Sequence, residues 1–261
     1  MSRIASAFAA ARGRTGLIPY VVAGYPDFAT SLEFLRGFAR QGVLAVEVGV
    51  PFSDPIADGA DIQRASERVL KDGSAGDQAL ALVAALRRES ALPAVLMSYL
   101  NPLMRSGFDA FVARARASGV DGVLVSDLPP DEAPEIWSAI DGAALDSVVL
   151  VAPTTDERRL PDLLARARGF VYCLARTGVT GTGSGYQGSI PERIESIRRR
   201  SALPVAVGFG ISNGQDAARL RGIADAVVVG AAFVRAVDAG RPEGALERVL
   251  ALSGELIEAL A

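Results

Sequence analysis

Eight short apolar runs, recurring about every 25 to 35 residues, set the rhythm of this 261-residue chain. They are LIPYVVA from Leu17, LAVEVGV from Leu44, AVLMSYL from Ala94 and GVLVSDL from Gly122, then SVVLVAP from Ser147, FVYCLA from Phe170, PVAVGFG from Pro204 and AVVVG from Ala226. Each is rich in Val or Leu and apolar on both faces, the pattern of parallel strands covered by helices. Between them lie segments of helical periodicity: SLEFLRGFARQ, DQALALVAALRRE, FDAFVARARAS, DEAPEIWSAI, ERRLPDLLARA, IPERIESIRRR and GQDAARLRG. A last one, ALERVLALSGELIEAL, closes the chain. Eight strand–helix units in about 250 residues have the size of a (β/α)8 TIM barrel. The opening SRIASAFAAAR predicts an extra N-terminal helix capping the barrel's bottom. A doubly wound open sheet is the runner-up, but it carries fewer strands and a Gly-rich turn after the first, whereas the Gly-rich turns here come late. No linker divides the chain, so residues 1–261 read as a single barrel domain.

Half the residues are apolar, enough for a sizeable core. A net charge of −3 with scattered Arg predicts no nucleic-acid surface, and the short run Arg198–Arg200 reads as a solvated helix end. The N-terminus is basic without a sustained apolar core, unlike a secretory leader. No run approaches the roughly 18 apolar residues of a membrane span, so no membrane association is expected. The single cysteine, Cys173, cannot form an internal disulfide, which fits a cytoplasmic setting; within FVYCLA it reads as a buried apolar residue. The chain has no histidine. Histidine triads, His-ligated metals and imidazole acid–base pairs are thereby excluded. Proton transfer falls to Asp, Glu, Tyr, Cys or the lone lysine, Lys71, which sits on the turn LKDGS after the second unit.

Three glycine-bearing turns follow the last three strands: TGVTGTGSG, GFGIS and GAAF. In barrels a phosphate is often held there by backbone N–H groups and a short helix N-terminus, and glycine lets the backbone come close. Gly181, Gly210, Gly230 and Ala231 are therefore candidate phosphate ligands. The glycine-rich stretch Arg176–Ser189 reads as a closing lid.

Two carboxylates stand out in VEVGVPFSDPIADG. Side chains alternate along a strand, so if Glu47 points into the barrel, so do Ala45 and Gly49, which leave room beside it. Burial raises a carboxyl pKa and would let Glu47 serve as a general acid near neutrality; no Arg lies in any strand to pair with it. Asp58 lies beyond the same strand in a Pro- and Gly-containing loop, placed to stay ionised as an acceptor. Asp54 reads as structural or interfacial. A phosphorylated small molecule in such a barrel points to isomerisation, aldol cleavage or decarboxylation. Lys71 is misplaced for a Schiff base, so a retro-aldol needs a substrate with its own electron sink, and an indole protonated at C3 qualifies.

EVGVPFSDPIADG closely resembles the signature of the tryptophan synthase alpha subunit family. LIPYVVAGYPD, LMSYLNPL, GVLVSDLP, ARTGVTG, GFGIS and VVVGAAFV resemble further family motifs in the family's order, over roughly Ser2 to Val237. The resemblance implies a lyase cleaving indole-3-glycerol phosphate to indole and glyceraldehyde 3-phosphate. It implies Glu47 as the acid toward indole C3 and Asp58 as the acceptor for the indole N–H. Tyr172 would sit beside Glu47, while Tyr20, Met97, Tyr99 and Phe209 would line the indole slot. Thr180 and Arg176 would belong to the lid, with Gly181, Gly210, Gly230 and Ala231 at the phosphate. The resemblance further implies no cofactor in this chain. Its partner would be a beta subunit carrying pyridoxal phosphate, in an alpha2-beta2 hetero-tetramer, docked on the rim around Asp54 and Asn101–Pro102. A stand-alone lyase and a non-catalytic phosphate-binding activator are the alternatives. Two departures concern binding. Ala231 stands where the family often has Ser, giving a backbone N–H but no hydroxyl, and Val22 stands where many relatives carry Thr.

Overall fold

The computed structural model describes residues 1–73, 77–174, 189–208 and 210–261. Within them, parallel strand segments form one sheet: β1 (Gly16–Val22), β2 (Val46–Gly49), β3 (Ala94–Ser98), β4 (Gly122–Val125), β5 (Asp146–Ser147), β6 (Val149–Val151), β7 (Val171–Leu174), β8 (Val205–Gly208) and β9 (Ala226–Val229). The order is β5-β4-β3-β2-β1-β9-β8-β7-β6. Eight strands were expected, and β5 and β6 are the two halves of the fifth. Its first half pairs with β4 (Gly122 opposite Asp146) and its second with β7 (Leu150 opposite Tyr172). Val148 between them donates its N–H to the Val123 carbonyl at 3.0 Å. The run Asp146–Val151 thus changes neighbours midway, as the stagger of a closed barrel requires, and the ring shuts.

Register fixes which side chains face inward. Tyr20 lies opposite Glu47, Glu47 opposite Val95, and Gly49 opposite Met97. Tyr172 lies opposite Ala206, and Gly208 opposite Val228. Alternation then puts Ile18, Leu124, Val148 and Leu150 on the same inner face. Ala45, Gly49, Ala206, Gly208 and Ala226 supply small inner positions among them. The outward set, Val46, Val48, Leu96, Val123, Val207 and Val227, is fully buried beneath the helices. This explains why the strands read as unbroken apolar runs.

The N-terminal helix Arg3–Ala10 covers the bottom, as its sequence predicts. Ser2 caps it, accepting the Ala5 N–H at 3.1 Å, and Ile4 and Phe8 are buried, with Phe8 against Phe170 at 5.6 Å between ring centres. The buried carboxylate of Asp121 pins it there. Asp121 accepts from Arg3 at 2.7 Å, from Arg87 at 2.8 Å and from the Ala94 N–H at 2.9 Å.

Helices Ala60–Lys71 and Ala231–Asp238 were not marked by the sequence pattern, and both flank the site. The first begins at Gly59 without a side-chain cap and buries only Ala65, Ser66 and Val69. Its apolar residues fall on one face but are few among Asp, Gln, Arg, Glu and Lys, so no apolar run draws attention to it. Lys71 ends this helix, paired with Glu67 at 2.6 Å, rather than lying on the turn that follows. Arg198 and Arg200 are not merely solvated: they reach Asp225 at 3.0 Å and Glu157 at 3.1 Å. Among the described residues no helix is long and apolar enough to cross a membrane.

Candidate active site

At the C-terminal end of the strands a cavity of about 280 Å3 opens among Tyr20, Glu47, Asp58, Met97, Tyr172 and the turns at Gly210 and Gly230. Glu47 projects into it from the middle of β2 and is 1% exposed. Neither of its carboxyl oxygens has a hydrogen-bond partner among the described residues. Loss of hydration, followed by the nearby Asp58 charge, pushes its pKa up to about 8. At neutral pH Glu47 is therefore a carboxylic acid holding a proton, with its donor unspent.

Asp58 sits at the end of the loop after β2, which is folded by short internal bonds. The Asp58 N–H donates to the Pro55 carbonyl at 3.0 Å, and the Gln63 amide donates to the Asp58 carbonyl at 2.8 Å. The Tyr99 hydroxyl accepts the Ala57 N–H at 2.9 Å and bonds the Asp58 carboxylate. Partial burial raises the Asp58 pKa to about 6, against the lowering effect of that phenol bond. Asp58 is thus mostly ionised at pH 7 while Glu47 is mostly neutral: two carboxyls, separated by environment, in opposite states.

The tyrosines behave as predicted in part. Tyr20 and Tyr172 line the cavity, and burial first, then the neighbouring carboxylates, holds both phenols well above their ordinary pKa. Each phenol lies over a glycine: an added Cβ at Gly49 would stand 2.1 Å from the Tyr20 oxygen, and one at Gly208 would stand 2.2 Å from that of Tyr172. Tyr99 stands behind the wall rather than in it, bonded to Asp58, with its ring 5.2 Å from that of Phe52. Met97 is in the wall. Cys173 is buried and free, with its thiol pushed up to about 11, chiefly by burial, as an inert core residue should be.

Of the expected phosphate ligands, Gly210 has φ +74°, a left-handed conformation that suits glycine. Gly230 precedes the helix Ala231–Asp238, which has no side-chain cap, and Gly230 and Ala231 both line the cavity. Arg176, Thr180, Gly181 and Phe209 lie outside the described residues. Several wall residues escaped the sequence reading, among them Ile62, Ser212 and Arg235. Ile62 lies in the first turn of the helix that follows Asp58, and Arg235 follows Ala231 by four positions in one helix. Each would have been found had the short helix carrying it been recognised.

Taken together, fold and site place two carboxyls of unlike surroundings, a largely apolar wall and the turns at Gly210 and Gly230 around one cavity at the end of a parallel barrel. The comparisons agree with such a barrel. A family model for the tryptophan synthase alpha chain matches residues 7–261. The tryptophan synthase alpha chain of Chromobacterium violaceum is 45% identical over 261 residues, covering 100% of both chains. That of Carboxydothermus hydrogenoformans is 42% identical over 240 residues, covering 91% of this chain and 90% of its own. Among solved structures, tryptophan synthase from M. tuberculosis in its aminoacrylate-bound form matches with a TM-score of 0.88 at 36% identity, over 100% of each chain. The chain belongs to the tryptophan synthase alpha chain family. It is a lyase of tryptophan biosynthesis, cleaving indole-3-glycerol phosphate to indole and glyceraldehyde 3-phosphate.

Proposed function

We propose that Glu47 is the general acid and Asp58 the acceptor of this retro-aldol cleavage. The observation that carries the assignment is the buried, unpartnered carboxyl of Glu47 in the same cavity wall as Asp58, an environment that favours the protonated form of Glu47 more than that of Asp58. Glu47 gives its proton to indole C3, which becomes tetrahedral and makes the ring an iminium. Asp58 accepts the hydrogen bond of the indole N–H and stabilises the positive charge developing there. The bond from C3 to the glycerol side chain then breaks, and its electron pair returns to the ring. The adjacent hydroxyl loses its proton as its carbon becomes an aldehyde, and the newly ionised Glu47 is the base that receives it. Protons balance, and Glu47 ends as it began.

Tyr20, Met97 and Tyr172 hold the indole, with Tyr99 setting the Asp58 carboxylate from behind. Gly210, Gly230 and Ala231 receive the phosphate; the family resemblance assigns Gly181 to the phosphate too, Phe209 to the indole, and Arg176 and Thr180 to substrate enclosure. No cofactor is needed in this chain.

The partner is a pyridoxal-phosphate beta subunit in an alpha2-beta2 assembly. The M. tuberculosis match, a tryptophan synthase structure, supports such a partner. So does the rim, where Ile56 is 84% exposed and Met104 46% exposed, beside Asp54 and Asn101–Pro102. Exposed apolar residues of this kind mark interaction surfaces when they cluster. The deciding experiment incubates the purified chain with indole-3-glycerol phosphate and follows free indole, with and without a beta subunit. Glu47→Gln should bind substrate yet release indole at below about a hundredth of the wild-type rate; retained turnover would remove Glu47 from the acid role.

A further inference from the structure

We propose that Arg235 is the cation of the phosphate subsite, a substrate-binding residue that spans the two glycine turns. This rests on the phosphate reading given above. Arg235 is the only cationic side chain among the described residues of the cavity wall. It lies one helical turn beyond Ala231 and so shares a helix face with it. Its Nη2 donates to the Ser212 hydroxyl at 2.9 Å, and Ser212 is two residues past Gly210. The guanidinium therefore sits between the turn at Gly210 and the helix after Gly230.

Electrostatics calls for such a group. The substrate brings a phosphate of nearly two negative charges into a cavity that already holds the Asp58 carboxylate. A helix N-terminus offsets about half a charge, and Ala231 contributes no hydroxyl. A guanidinium matches a phosphate with two parallel hydrogen bonds. Its ion-pair partner keeps a second cation when Arg235 turns away. Nη1 donates to Asp61 at 2.8 Å, but Arg64 also reaches Asp61, at 3.0 Å, so that carboxylate stays paired when Arg235 turns to the phosphate. Arg64 additionally bonds Asp238 at 2.6 Å, which keeps the two helices joined. The Arg235 side chain is 47% exposed, so it has room to turn.

The test compares Arg235→Gln, Arg235→Lys and Asp61→Asn in the full chain with its beta subunit, on indole-3-glycerol phosphate and on phosphate-free indole-3-glycerol. Arg235→Gln should lower kcat/KM for the phosphorylated substrate by about ten- to a hundred-fold more than for the phosphate-free one, mainly through KM. Arg235→Lys should recover part of the loss. Asp61→Asn breaks the ion pair but keeps the guanidinium, and should leave KM unchanged or lower. Calorimetric binding of glycerol 3-phosphate reads the same contact independently of turnover, and Arg235→Gln should weaken it. Equal losses on both substrates, unchanged binding of glycerol 3-phosphate, or an Asp61→Asn variant that reproduces the Arg235→Gln loss would overturn the assignment. Failure of the lyase reading looks different: wild-type chain would then release no indole at all.

Discussion

Gly208 and Tyr172 share one volume inside the barrel. A methyl group on Gly208 would stand 2.2 Å from the phenolic oxygen and 2.6 Å from the ring carbon that carries it. The residue on β8 is thus small because the residue on β7 is large. Gly208→Ala should drive the phenol into the space the indole needs. We expect kcat/KM to fall by about ten-fold or more while the chain still folds, since overpacking costs about 1–3 kcal/mol. Steady-state kinetics with a thermal melt checks this, and an unchanged kcat/KM would show that Tyr172 is not part of the slot.

The two carboxyls predict a bell-shaped pH profile. Asp58 must be ionised, so activity is lost as pH falls through about 6. Glu47 must be protonated, so activity is lost as pH rises through about 8. Measurement of kcat/KM against pH tests both limbs. A profile flat across that interval would contradict the assigned roles.

Tyr99→Phe separates one limb from the other. The phenol bond lowers the Asp58 pKa, so its removal should move the acidic limb to higher pH and leave the alkaline limb in place. It also removes the acceptor of the Ala57 N–H, so some loss of rate at the optimum is expected too.

Glu47 carries a stability signature of opposite benefit to its chemistry. Its pKa is about 8 in the fold against an ordinary 4.5. Because the folded value is the higher, the stability contributed by the neutral carboxyl is complete below about pH 4.5 and drains away as pH rises toward 8. Glu47→Gln cannot ionise and should be flat in that window. The unfolding free energy of the variant should therefore gain on wild type with rising pH, by on the order of a few kcal/mol at the upper end, and its melting temperature should rise relative to wild type in step. A constant difference would mean that ionising Glu47 costs the fold nothing.

Asp121 gives the contrasting case at the bottom of the barrel, where residues serve stability. Asp121→Ala leaves Arg87 and the Ala94 N–H without their shared acceptor and frees Arg3. We expect a loss of about 2–4 kcal/mol, measured by denaturant unfolding, with kcat per folded molecule unchanged.

Much of this was legible in the sequence. The strands, the helix at the bottom and the inward aim of Glu47 follow from unbroken Val-rich runs and a period of two. An acid flanked by Ala45 and Gly49 already announces an internal space. The fifth strand's change of partner at Val148 was not legible, because hydropathy along a chain carries no trace of which neighbour lies alongside. Arg235 stayed hidden for a related reason: its helix is eight residues long and follows a strand directly, so the apolar run of β9 continues into it as GAAFV without a break. Tyr99 was read as wall and stands behind Asp58, a distinction that depends on where the loop after β2 folds back.

The helix at the foot of the barrel has a further bearing on traffic. With Ile4 and Phe8 buried at the foot, below an inner stack of Ile18, Leu124 and Val228, the tube is stoppered at that end. Among the described residues its open mouth lies at the other end, by Asp58 and the exposed Ile56. An oily product leaving by that route meets first whichever protein is seated on the mouth.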